Sequence, residues 1–278
     1  MTVESSIQFQ KLLPSLEKLW GQPGEPTEKW QSWETRITGV VRKWLACDYH
    51  KSNVAQHKLS YFDKVEGGLN TENVLGFGTE VDAIAHELSA FMAAIKSGAD
   101  FLAGLCFDYH LDGKHGDSTK AILRLLKRND QLNPLLEVWR ESEEWLTESR
   151  EYRHPLIHRV SPRIIGGGKN KESGGIRATA IYPIIVPEKP IKREPDTRLS
   201  RTFEDPINEP IGMITGSTKS EVSDQDGKNQ VVDYNLSAAP ATGYLEIEDF
   251  MERQLLAFEK LTIGVVNLLA ESNFQSFR

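Results

Sequence analysis

Apolar residues recur along most of this chain at intervals of three and four, the period of a helix that buries one face. The spacing predicts a short helix over 7–20, flawed by Pro14, then a break at GQPGEP (21–26). Thr27 is a candidate cap for a helix running to about Phe62 and stopped by Gly67-Gly68, with Trp30, Trp33, Ile37, Val40, Val41, Trp44 and Leu45 on its apolar face. The cleanest pattern is 79–108. There Val81, Ile84, Ala85, Leu88, Phe91, Met92, Ile95, Ala99, Leu102, Ala103 and Cys106 share a face, which predicts a core helix. The loop LDGKHGD (111–117) ends it.

A short basic helix is expected over 118–128, with Ile122, Leu125 and Leu126 as its stripe. A second long helix is expected over 132–159, burying Leu132, Leu135, Leu136, Trp139 and Leu146. The last helix, 246–273, presents Ile247, Phe250, Met251, Leu255, Phe258, Thr262, Val265, Val266 and Leu269. Between these, residues 161–243 change character. Glycine runs, most of the prolines and strand-like pieces at 176–186 and 229–236 predict a small hairpin. Its excursion, 188–227, is charged and proline-interrupted, a composition that favours disorder. Pro183 argues against a central strand. The expectation is an all-α, up-and-down bundle in a single domain, 1–278, with a strand-rich insertion at 161–243 before the last helix.

Composition narrows the function. The 278 residues are 39% hydrophobic and 26% charged, with a net charge of -7, which is enough for both a buried core and a soluble surface. An acidic chain has no general electrostatic grip on nucleic acid, although a local basic site remains open. No apolar run approaches the roughly 20 residues of a spanning helix, and the start lacks a signal peptide's basic and apolar regions. No membrane association and a cytoplasmic location are expected. Cys47 and Cys106 stand in apolar helical patterns and read as reduced core thiols.

The string with chemistry is SREYRHPLIHRV, 149–160. It holds Arg153, His154 and His158 late in a long helix. An Arg followed by a polar residue and, after four to six intervening residues, a His resembles the signature of the HEPN superfamily (higher eukaryotes and prokaryotes nucleotide-binding domains). The helix HELSAFMAAIKSGADFLAGL (86–105) is similar to helices of such proteins, and the resemblance covers about 28–160 and 246–273. It implies a metal-independent ribonuclease, needing no cofactor and working at a homodimer interface, of toxin or phage-defence type. It also implies a nucleotidyltransferase-type antitoxin as a partner class. Arg153 would clamp phosphate, His158 would move protons, and His154 would orient or assist. The residue types suit RNA cleavage. The 2′-OH is the internal nucleophile, a His near neutral pKa can take and give the protons, and an Arg offers fixed donors to phosphate.

The spacing also poses a difficulty. Residues five apart on an ideal helix are rotated by about 140°, so a kink at Pro155 is needed to bring Arg153 and His158 into one cleft. The alternative reading is a non-catalytic HEPN-fold interaction module. There Arg153 pairs with a carboxylate such as Glu87 or Asp100, and His158 sits at a helix C-terminus where a cation is favoured. Other candidates read as structure. His154 and His158 form an HxxxH pair without the HExxH glutamate. Asp108, His110, Asp112, His115 and Asp117 read as a turn. Trp30, Trp33, Trp44, Trp139 and Trp145 could stack bases but sit at core spacing. GGGKNK (166–171) is not a P-loop and reads as a loop. Its Lys169 and Lys171, with Arg159 and Arg163, make a basic cluster after the motif.

Overall fold

In the computed structural model the described residues are 14, 28–68, 74–75, 79–109, 118–127, 134–158, 165–173, 176–188, 211–223, 230–240 and 243–271. The expected helix at 7–20, the break at 21–26, the Thr27 cap, the loop at 111–117 and the side chains of Trp30 and Trp33 lie outside what is described. Six helices account for most of the side chains that are described: α1 (Glu28–Gly68), α2 (Thr79–Tyr109), α3 (Thr119–Leu126), α4 (Pro134–Glu141), α5 (Glu143–His158) and α6 (Ile247–Glu271). The helical class read from the periodicity is the one observed.

The chain divides into two compact units. One comprises Met1–Ser52, Ser89–His158 and Met251–Arg278, the other Asn53–Leu88 and Arg159–Phe250. The first is a bundle whose helix directions follow from its contacts. Cys47 of α1 reaches the Phe91 carbonyl of α2, and Gly39 lies against Phe101, so α1 and α2 are antiparallel. Trp44 meets Glu259 and Lys51 meets Glu252, so α1 and α6 are antiparallel. Val138 abuts Gly264 while Glu148 meets Arg253, so α4 and α5 run against α6. The order is up, down, up, down.

The residues expected on the core faces are the ones buried. Ile84, Leu88, Phe91, Met92, Ile95, Leu102, Ala103 and Cys106 of α2 are 0–1% exposed, as are Phe250, Met251, Leu255, Phe258 and Val265 of α6. Leu45 is 47% exposed, and Val41 and Leu125 are only half-buried; the side chains of Val81 and Leu132 lie outside what is described. Small residues such as Gly98, which faces the Phe258 ring, let α2 approach its neighbours closely. The stretch Asp82–Phe107 of α2 is long and apolar enough by composition to cross a membrane, with a mean hydropathy of 1.4, although no such run was expected. In this structure 67% of that window is buried inside the protein. Helix α3 starts where Ser118 accepts the Ala121 N–H, and Asp100 of α2 accepts from the backbone and hydroxyl of Thr119.

The helix expected over 132–159 is interrupted once. Pro134 opens α4 at the position where a missing N–H costs nothing. At Ser142 the N–H bonds the Trp139 carbonyl, a three-residue step, and α5 begins one residue later. The interruption therefore falls several turns before Pro155, and α5 is assigned as helix through Pro155 to His158.

The strands, all in the second unit, correct three expectations. Strands β1 (Val74–Leu75), β2 (Ile165–Ser173), β3 (Ile176–Pro187), β4 (Ile211–Ser223), β5 (Gln230–Pro240) and β6 (Tyr244–Glu246) form one sheet in the order β1-β2-β3-β5-β4, with β6 on β3. First, the pieces at 176–186 and 229–236 are adjacent but parallel; the hairpin partner of β3 is β2. Ser173 pairs with Ile176, so the connection is two residues long, and its Gly-Gly sequence suits a tight turn. GGGKNK is thus strand rather than loop. Second, part of the 188–227 segment expected to be disordered is β4, antiparallel to β5; its run IGMITGSTKSEVS alternates weakly and gave little periodic signal. Third, Pro183 does stand in an inner strand. It falls where β5 pairing has ended at Ile181, β6 pairing begins only at Ile185, and a register shift lies opposite in β2. A residue with no N–H to donate is tolerated at such an irregularity.

Beyond it Ile184, Ile185 and Val186 are all buried, so both faces of β3 are covered at that end. Gly243, at φ 88°, takes the left-handed turn into β6 and its carbonyl accepts the Glu188 N–H.

Candidate functional site

Helix α5 carries the string 149–160, and its position is set by a buried polar pin. Gln254 of α6 is fully buried. Its Oε1 accepts from Trp145 Nε1 at 2.7 Å and from Ser149 Oγ at 2.8 Å. Arg253 donates to Glu148 at 2.6 Å, and the Gln254 amide lies 3.5 Å from the same carboxylate oxygen. A buried amide with two donors converging on one oxygen fixes both the rotation and the height of α5, because neither donor finds an equal partner if the helix turns. Gln254 and Ser149 were not singled out in the sequence. A lone polar residue in the apolar stripe of the last helix was the only signal they gave.

The exposed and buried arcs of α5 are clear up to residue 152. Leu146, Ser149 and Tyr152 are buried, whereas Glu144, Thr147, Arg150 and Glu151 are exposed. The side chains of Arg153, His154 and His158 lie outside the described residues, but their backbone continues α5. With about 100° per residue, the sequence puts position 153 about 20° in phase from Leu146 on an ideal helix. Helix assignment is continuous from 153 to 158.

Two carboxylates considered for Arg153 have other partners. Asp100 holds Thr119 and Lys96, and Glu87 accepts from Asn53. The turn cluster Asp108, His110, Asp112, His115 and Asp117, and the cations Arg159 and Arg163, lie outside what is described. The backbone of Lys169 and Lys171 belongs to β2, paired with Ala180 and Ala178 of β3. Among the described residues no group of three His, Cys, Asp or Glu side chains is arranged to hold a metal ion.

Burial removes two base-stacking candidates. Trp44 is 4% exposed and donates to Glu259 at 2.7 Å; Trp139 is fully buried with Nε1 3.4 Å from Cys106 Sγ. Both are core anchors. Glu259 itself is 2% exposed, and its second oxygen, Oε2, has no hydrogen-bond partner among the described residues. Burial pushes its carboxyl above the ordinary carboxylate range, against the pull of the Trp44 hydrogen bond and the Lys51 charge. Cys47 and Cys106 are free and buried as expected; burial raises both thiols, Cys106 to about 12. In the second unit Lys58 reaches Glu246 and Glu248. Burial would lower its pKa, but the two carboxylates overcome that and raise it.

Compared with family models, curated proteins and solved structures, the chain finds no match.

Proposed function

We propose that this chain is a HEPN-like protein that cleaves RNA without a metal ion, as a homodimer whose active site combines Arg153 of one copy with His158 of the other. The observation that carries the reading is the string 149–160 itself, closing a bundle helix that a buried pin holds in fixed rotation. The phase of the helix argues for two copies. On an ideal helix the two groups lie about 140° apart, and two related chains can present one group each to a phosphate. Arg153 would bind the scissile phosphate bidentately and stabilise its developing charge. His158 would take the 2′-OH proton or protonate the leaving 5′-oxygen, with His154 assisting. A nucleotidyltransferase-type antitoxin is the partner class that this reading brings.

The test is RNA cleavage in EDTA by the wild type, Arg153→Ala and His158→Ala. Products ending in 2′,3′-cyclic phosphate, lost in each variant, are expected. Mixing the two inactive variants should restore about a quarter of the activity, because half the dimers are mixed and each holds one intact composite site. No cleavage by the wild type over a panel of RNAs would overturn the reading.

The second reading is a non-catalytic interaction module of the same fold, with the sheet-bearing segment 161–243 as its binding element. The unbroken helix across 153–158 favours it, since a kink was the device that would have assembled the site within one chain. Such a protein should express without toxicity and be indifferent to His158→Ala.

A further inference from the structure

The exposed side of α1 carries more apolar surface than a solvated helix face needs. Between Arg42 and Asp63 this one helix exposes six side chains: Arg42, Leu45, Tyr49, Gln56, Leu59 and Asp63. Leu45, Tyr49 and Leu59 are 47%, 63% and 66% exposed, three of the four large apolar side chains open to solvent among the described residues. At about 100° per residue all six fall within one arc of about 100°. Half-buried Ser52 stands at the middle of that arc. Arg42, Tyr49, Gln56 and Asp63 recur every seven residues, and so do Leu45, Ser52 and Leu59. Two interleaved rows of that period make a seam that keeps facing a second helix wound against it. Single scattered apolar residues need no partner, but three on one seam about 32 Å long mark a contact surface.

The order of groups along the seam points to its occupant. Leu45 stands seven residues before Ser52 and Leu59 seven after it; Arg42 stands ten before and Asp63 eleven after. The nearby cations Lys51 and Lys58 turn instead to carboxylates of their own chain. A second α1 lying antiparallel, about a twofold axis beside Ser52, brings Leu45 level with Leu59 of the other copy. It also brings Tyr49 level with Gln56, and Arg42 level with Asp63, each to within about one residue's rise. Every pair then occurs twice, which is the self-complementarity a twofold dimer requires. A parallel pairing would instead set Arg42 against Arg42 and Asp63 against Asp63, and like charges in register oppose association. We propose that the seam of α1 from Arg42 to Asp63 is a dimer interface, pairing antiparallel with the same seam of a second copy of this chain. The seam lies on α1 and the string 149–160 lies on α5, so the inference does not rest on the ribonuclease reading.

The full-length protein is sedimented over a concentration series. A monomer–dimer equilibrium is expected. Leu59→Ser, Arg42→Glu and Asp63→Arg change only exposed side chains. Each should weaken the dimer by about tenfold or more with an unchanged circular dichroism spectrum. Combining Arg42→Glu with Asp63→Arg in one chain should restore it to within about threefold of wild type, because opposite charges face each other again. Mixing the two single reversals should give mixed dimers in preference to either parent, since in the mixed dimer every charge meets its opposite. A chain that stays monomeric at about 100 μM overturns the interface and leaves the seam to a different partner. A dimer indifferent to all three changes overturns it as well, as does a double reversal no tighter than the single ones. A protein that cleaves RNA as a dimer insensitive to these changes refutes the seam alone; one that dimerises through the seam and cleaves nothing refutes the nuclease alone.

Discussion

Replacing Gln254 by Leu is the most informative perturbation of the α5–α6 seam. Leucine has nearly the same volume, so the cavity contribution is small, and what changes is hydrogen bonding. The Trp145 indole N–H and the Ser149 hydroxyl both lose their acceptor, at present 2.7 and 2.8 Å away. A buried donor left unsatisfied costs about 1–3 kcal/mol. Ser149 can turn its hydroxyl to the carbonyl one turn back in its own helix, which lowers its share. Trp145 is half-buried and can recruit water in part. The expected total is about 2–4 kcal/mol, a large fraction of the roughly 5–15 kcal/mol that holds a domain folded. Urea unfolding followed by circular dichroism reads this as a lower midpoint with an unchanged slope. Trp145→Phe should cost less, and the double variant should be less destabilised than the sum by about 1 kcal/mol, because both changes remove the same bond. Gln254→Leu within about 0.5 kcal/mol of wild type, or strict additivity with Trp145→Phe, would refute the pin.

Three further outcomes are expected. Glu259→Gln should gain on the wild type as pH rises: the native carboxyl has a pKa above its ordinary 4.5, so its contribution is complete below that value and is lost as pH climbs through the native pKa. A stability difference that stays flat between about pH 4 and 8 would contradict this. Gly98→Ala puts a Cβ into the fully buried Phe258 ring and should cost about 1–3 kcal/mol in chemical denaturation. Gly104→Ala meets the guanidinium of Arg36, the far end of a long side chain, and should cost less than Gly98→Ala, because that end can shift whereas the Phe258 ring cannot. Cys47 and Cys106, both buried with raised pKa values, should resist thiol reagents until denaturant is added; prompt labelling of either in the native protein would contradict their burial.

Much of the bundle was legible because each helix announces itself locally. The 3,4 spacing of α2 and α6 identified their buried faces almost residue for residue, since burying one face is the only way such a pattern lowers the free energy of the chain. Gly67-Gly68 marked the end of α1 for a similarly local reason. The sheet was less legible. Its strands are glycine- and serine-rich, and partner choice and direction depend on residues far apart in sequence. Nothing local distinguishes a parallel β3–β5 pair from a hairpin. Pro183 misled because its penalty assumes a continuous ladder, and the ladder is discontinuous where it sits.

The candidate site divides in the same way. The sequence alone determined which residues are chemically able to act: Arg153, His154 and His158 are a matter of side-chain type and spacing. Whether they converge was a tertiary question. The sequence placed the irregularity at Pro155, whereas the described interruption of the 132–159 helix falls at Ser142. The polar residues that hold α5 in place, Gln254 and Glu148 among them, had no signature either. A buried glutamine looks like a flaw in an apolar stripe until its donors, more than a hundred residues away, arrive beside it. Periodicity is a one-dimensional signal and fixes faces; hydrogen-bond partners across the core are decided only when the helices pack.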